Sequence, residues 1–166
     1  MKIVQKIKVS SPATDVWAVL GDQFVSVDEW MAGIGKSVEI TDGQQAQNAP
    51  VIGRRGEVAI NPGTFLDEII EVYHPEKMSL TVQTDFVNIP GPVQGYKTEI
   101  QVQSLANDAS EVSWSTEVPL GELEPLVYTA VEKNLSDGFL RGLEELKHFV
   151  EMKTPHERKL AAPHCG

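Results

Sequence analysis

PLVYTAVEKNLSDGFLRGLEELKHFVEM, residues 125–152, decides the fold. Apolar side chains recur along it as Val127, Val131, Leu135, Phe139, Leu143, Leu146 and Val150, at steps of three and four. That spacing marks one face of an α-helix. At 1.5 Å per residue such a helix reaches about 40 Å. It is too long for a small flat sheet, whereas a sheet curved around it would bury its apolar stripe along the whole length. Gly138 and Gly142 fall on the same arc. A glycine inside a helix costs about 1 kcal/mol relative to alanine. Two on the buried face imply either that space is wanted there or that helix and sheet pack closely, and the pattern leaves both readings open.

Upstream of the helix, residues 110–118, 95–105, 77–86, 64–73, 53–60 and 36–41 read as strands. Their connectors, such as His74-Pro75-Glu76 and the tight turn Asn61-Pro62-Gly63, are too short to cross over a sheet, so neighbouring strands are antiparallel. Residues 42–50 form a polar loop. At the N-terminus IVQKIKVS, residues 3–10, alternates as a half-buried strand. Ser10-Ser11-Pro12 then starts a helix, with serine as cap and Pro12 in the first turn; it carries Val16, Trp17, Val19 and Leu20 and stops at Gly21. A second short helix spans Val25–Met31. Strands bracketed by helices indicate an α+β fold. Residues 153–166 show no period and read as a tail.

The chain has 166 residues, one domain's worth, with 41% hydrophobic and 23% charged residues, ordinary for a globular protein. A net charge of −10 disfavours nucleic acid and anionic membranes. Cys165 is the single cysteine, so no internal disulfide forms. No stretch resembles a signal peptide or a membrane span, so a soluble cytoplasmic protein without membrane insertion, monomer or homodimer, is expected.

The order of elements, with residues to match, resembles the START/Bet v 1-like superfamily, also called SRPBCC. The nearest branches are the polyketide cyclase/dehydrase-like proteins and the plant hormone receptors. The matching residues are Val9-Ser10-Ser11-Pro12-Ala13-Thr14-Asp15-Val16-Trp17-Ala18-Val19-Leu20, with Asp22 and Trp30 following. Ile52-Gly53-Arg54-Arg55, Asp67 to Val72, Glu111-Val112-Ser113-Trp114 and Gly138 to Lys147 complete the set. The resemblance covers residues 1–152, with 153–166 outside it. It implies a helix-grip fold: a curved seven-stranded antiparallel sheet wrapped around the long C-terminal helix, two short helices after the first strand, and a cavity between sheet and helix.

Matching Glu68 to the inward acidic position of the hormone-receptor branch sets the faces of its own strand and of the one before it. Leu66, Glu68, Ile70 and Val72 then point inward, as do Arg54, Val58 and Ile60, with Gly56 leaving room. Tyr96, Thr98, Val112, Trp114 and Thr116 follow, with Leu80 and Val82 on the strand between. The helix contributes Leu135, Gly138 and Phe139, and Trp30 stands at the pocket's edge. Met31 and Met78 read as filler. Apolar walls with sparse polar groups are how small-molecule sites are built. If Arg54 and Glu68 both face inward, they pair directly or through water; otherwise one reaches the rim, or the alternation is off by one. The segments 61–64 and 87–95 are expected to form the entrance. The gate motif of the resembling receptors is absent.

The sequence has no GxSxG, HExxH, Walker or GxGxxG motif. His156, His164 and Cys165 sit in a tail without a preorganised shell, so neither metal nor cofactor is expected. No catalytic residue is assigned. The expectation is binding or transport of a small hydrophobic molecule of lipid, polyketide or aromatic type. One alternative is a polyketide cyclase/dehydratase-like enzyme, with Arg54 stabilising an enolate and Tyr96 or Glu68 moving a proton. The other is a co-chaperone-like interaction module with a filled interior and an exposed apolar patch.

Overall fold

A computed structural model of the chain describes residues 1–165. Strand β1 (Lys2–Val9) leads into helix α1 (Ala13–Trp17), a π-helical turn (Ala18–Asp22) and a 3₁₀ helix (Phe24–Glu29). Strands β2 (Ile34–Ile40), β3 (Gly53–Val58), β4 (Phe65–His74), β5 (Ser79–Val87), β6 (Gly95–Leu105) and β7 (Ala109–Glu117) follow, then helices α2 (Pro125–Met152) and α3 (Glu157–Ala161). The strands form one seven-stranded sheet in the order β1-β7-β6-β5-β4-β3-β2, every pair antiparallel. Its core-facing side carries Val9, Ile70, Leu80, Val82, Val102 and Val112, packed against Leu143, Leu146 and Val150 of α2 and Val16, Phe24 and Val27 of the short helices.

Helix α1 has no serine cap. Pro12 occupies the cap position and its carbonyl accepts from Asp15 N at 3.0 Å. Ser10 instead donates its backbone N–H to the Glu151 carboxylate at 2.7 Å, tying the end of β1 to α2. The expected helix to Gly21 shortens to a single turn and continues as a π turn. There Gly21 lies against the Trp17 ring, where a Cβ would come within 2.6 Å of Cε2.

Two inward assignments are corrected. A bulge in the β4–β5 pairing lies between Ile70 and Val72, so Ile70 pairs with Val82 but Tyr73 pairs with Leu80. One extra residue flips the alternation. Tyr73 therefore turns to the core, its ring 5.2 Å from that of Trp17, and Val72 faces outward at 40% exposure. Ile60 is 85% exposed, because β3 ends at Val58 and the chain turns there: Val58 N donates to Thr64 O and Ala59 N to Gly33 O.

The long helix is buried only over its second half. Leu126 is 85% exposed and Val127 42%, against the expectation of burial from end to end. The cause is length. β1 runs beside α2, joined by Gln5 Nε2 to Ser136 Oγ at 2.6 Å and Lys147 Nζ to Lys8 O at 2.9 Å. The three residues of β1 before Gln5 cover about 10 Å, whereas the helix before Ser136 extends about 16 Å. Its first turns overhang the strand.

The tail docks on the fold. Arg158 Nε donates to Glu145 Oε2 at 2.8 Å, Lys159 Nζ to Ile34 O at 2.8 Å, and Cys165 N to Gly35 O at 3.3 Å on the edge strand β2.

Candidate functional site

A cavity of 210 Å³ lies between the sheet and α2. Its wall takes Met31 and Ile34 from the segment entering β2, Arg54 from β3, Leu66 and Glu68 from β4, Tyr96 from β6 and Trp114 from β7. The helix supplies Asn134, Leu135, Gly138, Phe139 and Gly142. At about 30 Å³ per water the space holds about seven waters, enough for a small organic molecule. A wider hollow of 510 Å³, edged by Lys2, Lys97 and Glu117, shares Tyr96 but opens to solvent at the sheet's end. The cavity beneath the helix is the stronger site, since it combines apolar walls with convergent polar groups.

The two glycines on the helix face are resolved in favour of space. A Cβ at Gly138 would meet nothing closer than Arg141 Nη2 at 3.9 Å, and one at Gly142 would meet Met31 Cε at 3.5 Å, both ordinary contacts. Gly53 differs: a Cβ there would strike the Glu68 carbonyl of the neighbouring strand.

Arg54 and Glu68 face each other across the β3–β4 register. Nε and Nη2 of Arg54 donate to the two carboxylate oxygens at 3.0 and 3.2 Å, and Nη1 donates to Phe24 O at 2.5 Å. The guanidinium also lies 3.9 Å from the centre of the Phe24 ring. The buried cation is thus neutralised by a bidentate carboxylate, a carbonyl and an aromatic face, the conditions under which a buried charge is tolerated.

Tyr96 packs edge-on against Phe139 and Phe86, with ring centres 5.3 and 5.6 Å apart, and Trp114 stacks on Phe139 at 6.2 Å. Burial raises the Tyr96 phenol well above its usual pKa, and the Glu68 charge adds to this while Arg54 opposes it. Tyr96 therefore stays protonated and is a hydrogen-bond donor. Among the described residues its hydroxyl has no hydrogen-bond partner, and the Trp114 Nε1–H is buried without an acceptor. Thr98 and Thr116 do not join this polar set, because their hydroxyls satisfy each other at 2.9 Å within the core.

Of the expected site residues, Arg54, Glu68, Tyr96, Trp114, Leu135, Gly138 and Phe139 meet in this wall. Trp30, Ile70, Leu80, Val82 and Val112 are core residues outside it. Val58 is half-buried near the end of β3 and does not reach the lining. Met31, read as filler, is a wall residue, and Ile34 and Asn134 were not anticipated. Ile34 escaped because β2 begins two residues before the expected start. Asn134 had a legible signal, since it lies one helical turn before Gly138. The expected entrance segments are tied together by Asn88 Nδ2 donating to Gly63 O at 3.2 Å, but neither contributes to the lining.

The family model described as polyketide cyclase/dehydrase and lipid transport matches residues 1–151. The chain belongs to this family. No curated protein matches it in sequence. Solved structures are similar at low identity. An uncharacterised protein from Bacillus thuringiensis superposes with a TM-score of 0.71 at 20% identity, covering 90% of this chain and 98% of that one. A START superfamily protein from Mycobacterium smegmatis gives 0.66 at 15%, covering 92% and 99%. The di-domain ARO/CYC protein BexL of the BE-7585A biosynthetic pathway gives 0.73 at 16%, covering 91% of this chain and 46% of that one. Such likeness is one of fold, the helix-grip fold of the START superfamily. Among the described residues no helix is long and apolar enough to cross a membrane.

Proposed function

We propose that this chain binds or carries a small hydrophobic molecule in the cavity between its sheet and α2. The observation that carries the reading is the pair Gly138 and Gly142, which keep the helix face open between Leu135 and Phe139 on the helix and Leu66 and Trp114 on the sheet. Both positions forgo helix propensity, about 1 kcal/mol each, where a methyl group would fit. Close packing does not explain them, and a ligand volume does.

Native mass spectrometry of the protein purified from its own host is expected to show a bound small molecule. Filling the cavity by Gly138→Leu is expected to remove that adduct while the circular dichroism spectrum persists. A clean apo mass from the wild type, with no thermal shift across lipid and aromatic compounds, would overturn the proposal.

A second reading, cyclisation or dehydration of a polyketide-like substrate, is favoured by one observation: a protonated phenol stands beside a carboxylate in the same cavity. It requires turnover. Tyr96→Phe must then lower kcat far more than it weakens binding.

A further inference from the structure

We infer that the cavity selects an uncharged ligand bearing a hydrogen-bond acceptor, a ketone, ester or ether oxygen, and rejects carboxylates. The inference rests on the ligand-binding reading above and narrows its chemistry.

The first ground is charge. Among the described residues, Arg54 and Glu68 are the only formally charged side chains in the wall, and they cancel. Each guanidinium nitrogen of Arg54 already donates, to Glu68 or to Phe24 O. Three of the five guanidinium N–H bonds are used, so a ligand carboxylate accepting from the other two would set a second anion on one buried cation. The site would then carry a net negative charge among apolar side chains, with two carboxylates repelling each other, which a low-dielectric interior penalises. A ligand ammonium meets the converse obstacle, because Arg54 holds Glu68 and is itself held by Phe24.

The second ground is the hydrogen-bond inventory. Trp114 Nε1–H is buried without a partner, Tyr96 O–H has none among the described residues, and the Asn134 carboxamide, also unpaired, stands exposed at the rim rather than inside the wall. Indole nitrogen is a donor only, and a protonated phenol donates readily. The molecule that completes this wall therefore brings an acceptor. A carbonyl supplies one without charge and leaves the Arg54–Glu68 pair intact. The aromatic wall of Tyr96, Trp114 and Phe139 suits a flat or unsaturated body attached to it.

Three probes of one shape separate these effects: acetonaphthone, naphthoate and ethylnaphthalene, titrated at neutral pH with Trp fluorescence as readout. The wild type is expected to bind the ketone about tenfold tighter than the hydrocarbon and at least about tenfold tighter than the carboxylate. Tyr96→Phe is expected to weaken the ketone severalfold toward the level of ethylnaphthalene, with the Trp114 N–H still able to donate. Glu68→Gln frees the cation, so naphthoate is expected to overtake the ketone. Should that variant not fold, the double variant Arg54→Met, Glu68→Leu replaces the pair with apolar volume and is expected to keep the wild-type preference for ketone over carboxylate. Naphthoate binding the wild type as tightly as acetonaphthone overturns the inference and leaves the ligand-binding reading standing. Failure of all three probes to bind folded protein overturns that reading and the inference with it.

Discussion

Replacing Gly138 with alanine raises stability and lowers affinity at once. Gly138 sits inside α2, where alanine is favoured over glycine by about 1 kcal/mol. The new Cβ would have its nearest neighbour at 3.9 Å, the Nη2 end of the exposed Arg141 side chain, so no clash offsets the gain. Net stabilisation is expected at about 0.5–1 kcal/mol. At about 2–4 °C per kcal/mol for a domain of this size, Tm rises by about 1–4 °C. Gly138 lines the cavity of 210 Å³, so the added methyl group takes space at its edge. Overfilling a fitted site costs about 1 kcal/mol or more, so acetonaphthone binding weakens about fivefold. Urea denaturation followed by circular dichroism measures the first effect and fluorescence titration the second. Gly53→Ala is the control: its Cβ would strike the Glu68 carbonyl, so it destabilises. Gly138→Ala destabilising by about 1 kcal/mol would show that helix and sheet pack closely there and would refute the argument for an open face.

Three further outcomes follow from the geometry. The buried Glu145 carboxylate accepts from Ala32 N at 2.9 Å and Arg158 Nε at 2.8 Å, so Glu145→Gln is expected to cost about 2–3 kcal/mol in the urea midpoint. A change under about 0.5 kcal/mol would show that the tail latch does not hold the Met31–Ile34 wall. Val72→Lys, on the outward side of the bulge, is expected to change stability by less than about 0.5 kcal/mol, whereas Ile70→Ala costs about 2–5 kcal/mol; equal costs would contradict the bulge. Partial burial alone would raise the Glu151 pKa, but hydrogen bonds from Lys147 and Ser10 and the charges of Lys147 and His148 outweigh it and hold the group below 4.5. The folded carboxylate thus binds its proton less tightly than the unfolded one. Its stabilising effect is present above 4.5 and is lost as pH falls through the lowered value. Glu151→Gln is expected to flatten the acid limb of a stability-versus-pH curve and to leave the alkaline limb unchanged; an unaltered acid limb would refute the assignment.

What was legible in the sequence depended on whether one pattern stayed unbroken. The alternation of β6 and β7 and the second half of the α2 stripe, Leu143 to Val150, run without interruption, and there the inward residues read correctly, whereas Val127 at the head of the stripe is exposed. In β4 the segment Ile69-Ile70-Glu71-Val72-Tyr73 is apolar at both parities past Glu71, so alternation has no means of showing that a bulge moves Tyr73 inward and Val72 outward. The tail is held by Arg158, Lys159 and the Cys165 backbone through polar contacts with no period, and a search for periodicity passes over such contacts.

Alternation left the Arg54–Glu68 pair open, and the register of the hairpin closes it. In an antiparallel hairpin the turn sets the register, and partners lie at equal distance from its centre. Arg54 and Glu68 are equidistant from Asn61, and so are Arg55 and Asp67. Both pairs form. The inner one faces the cavity, and the outer one joins Arg55 Nε to Asp67 Oδ1 at 2.6 Å on the opposite face. Two adjacent arginines mirrored by two adjacent acids therefore act on the register together. A slip of one residue would set Arg54 against Asp67 and Arg55 against Leu66, leaving Glu68 without its cation and a guanidinium facing an apolar side chain. The outer pair is half-exposed and contributes little stability of its own. Its effect is to penalise the slipped alignment, and so to keep the cavity's one charged pair in place.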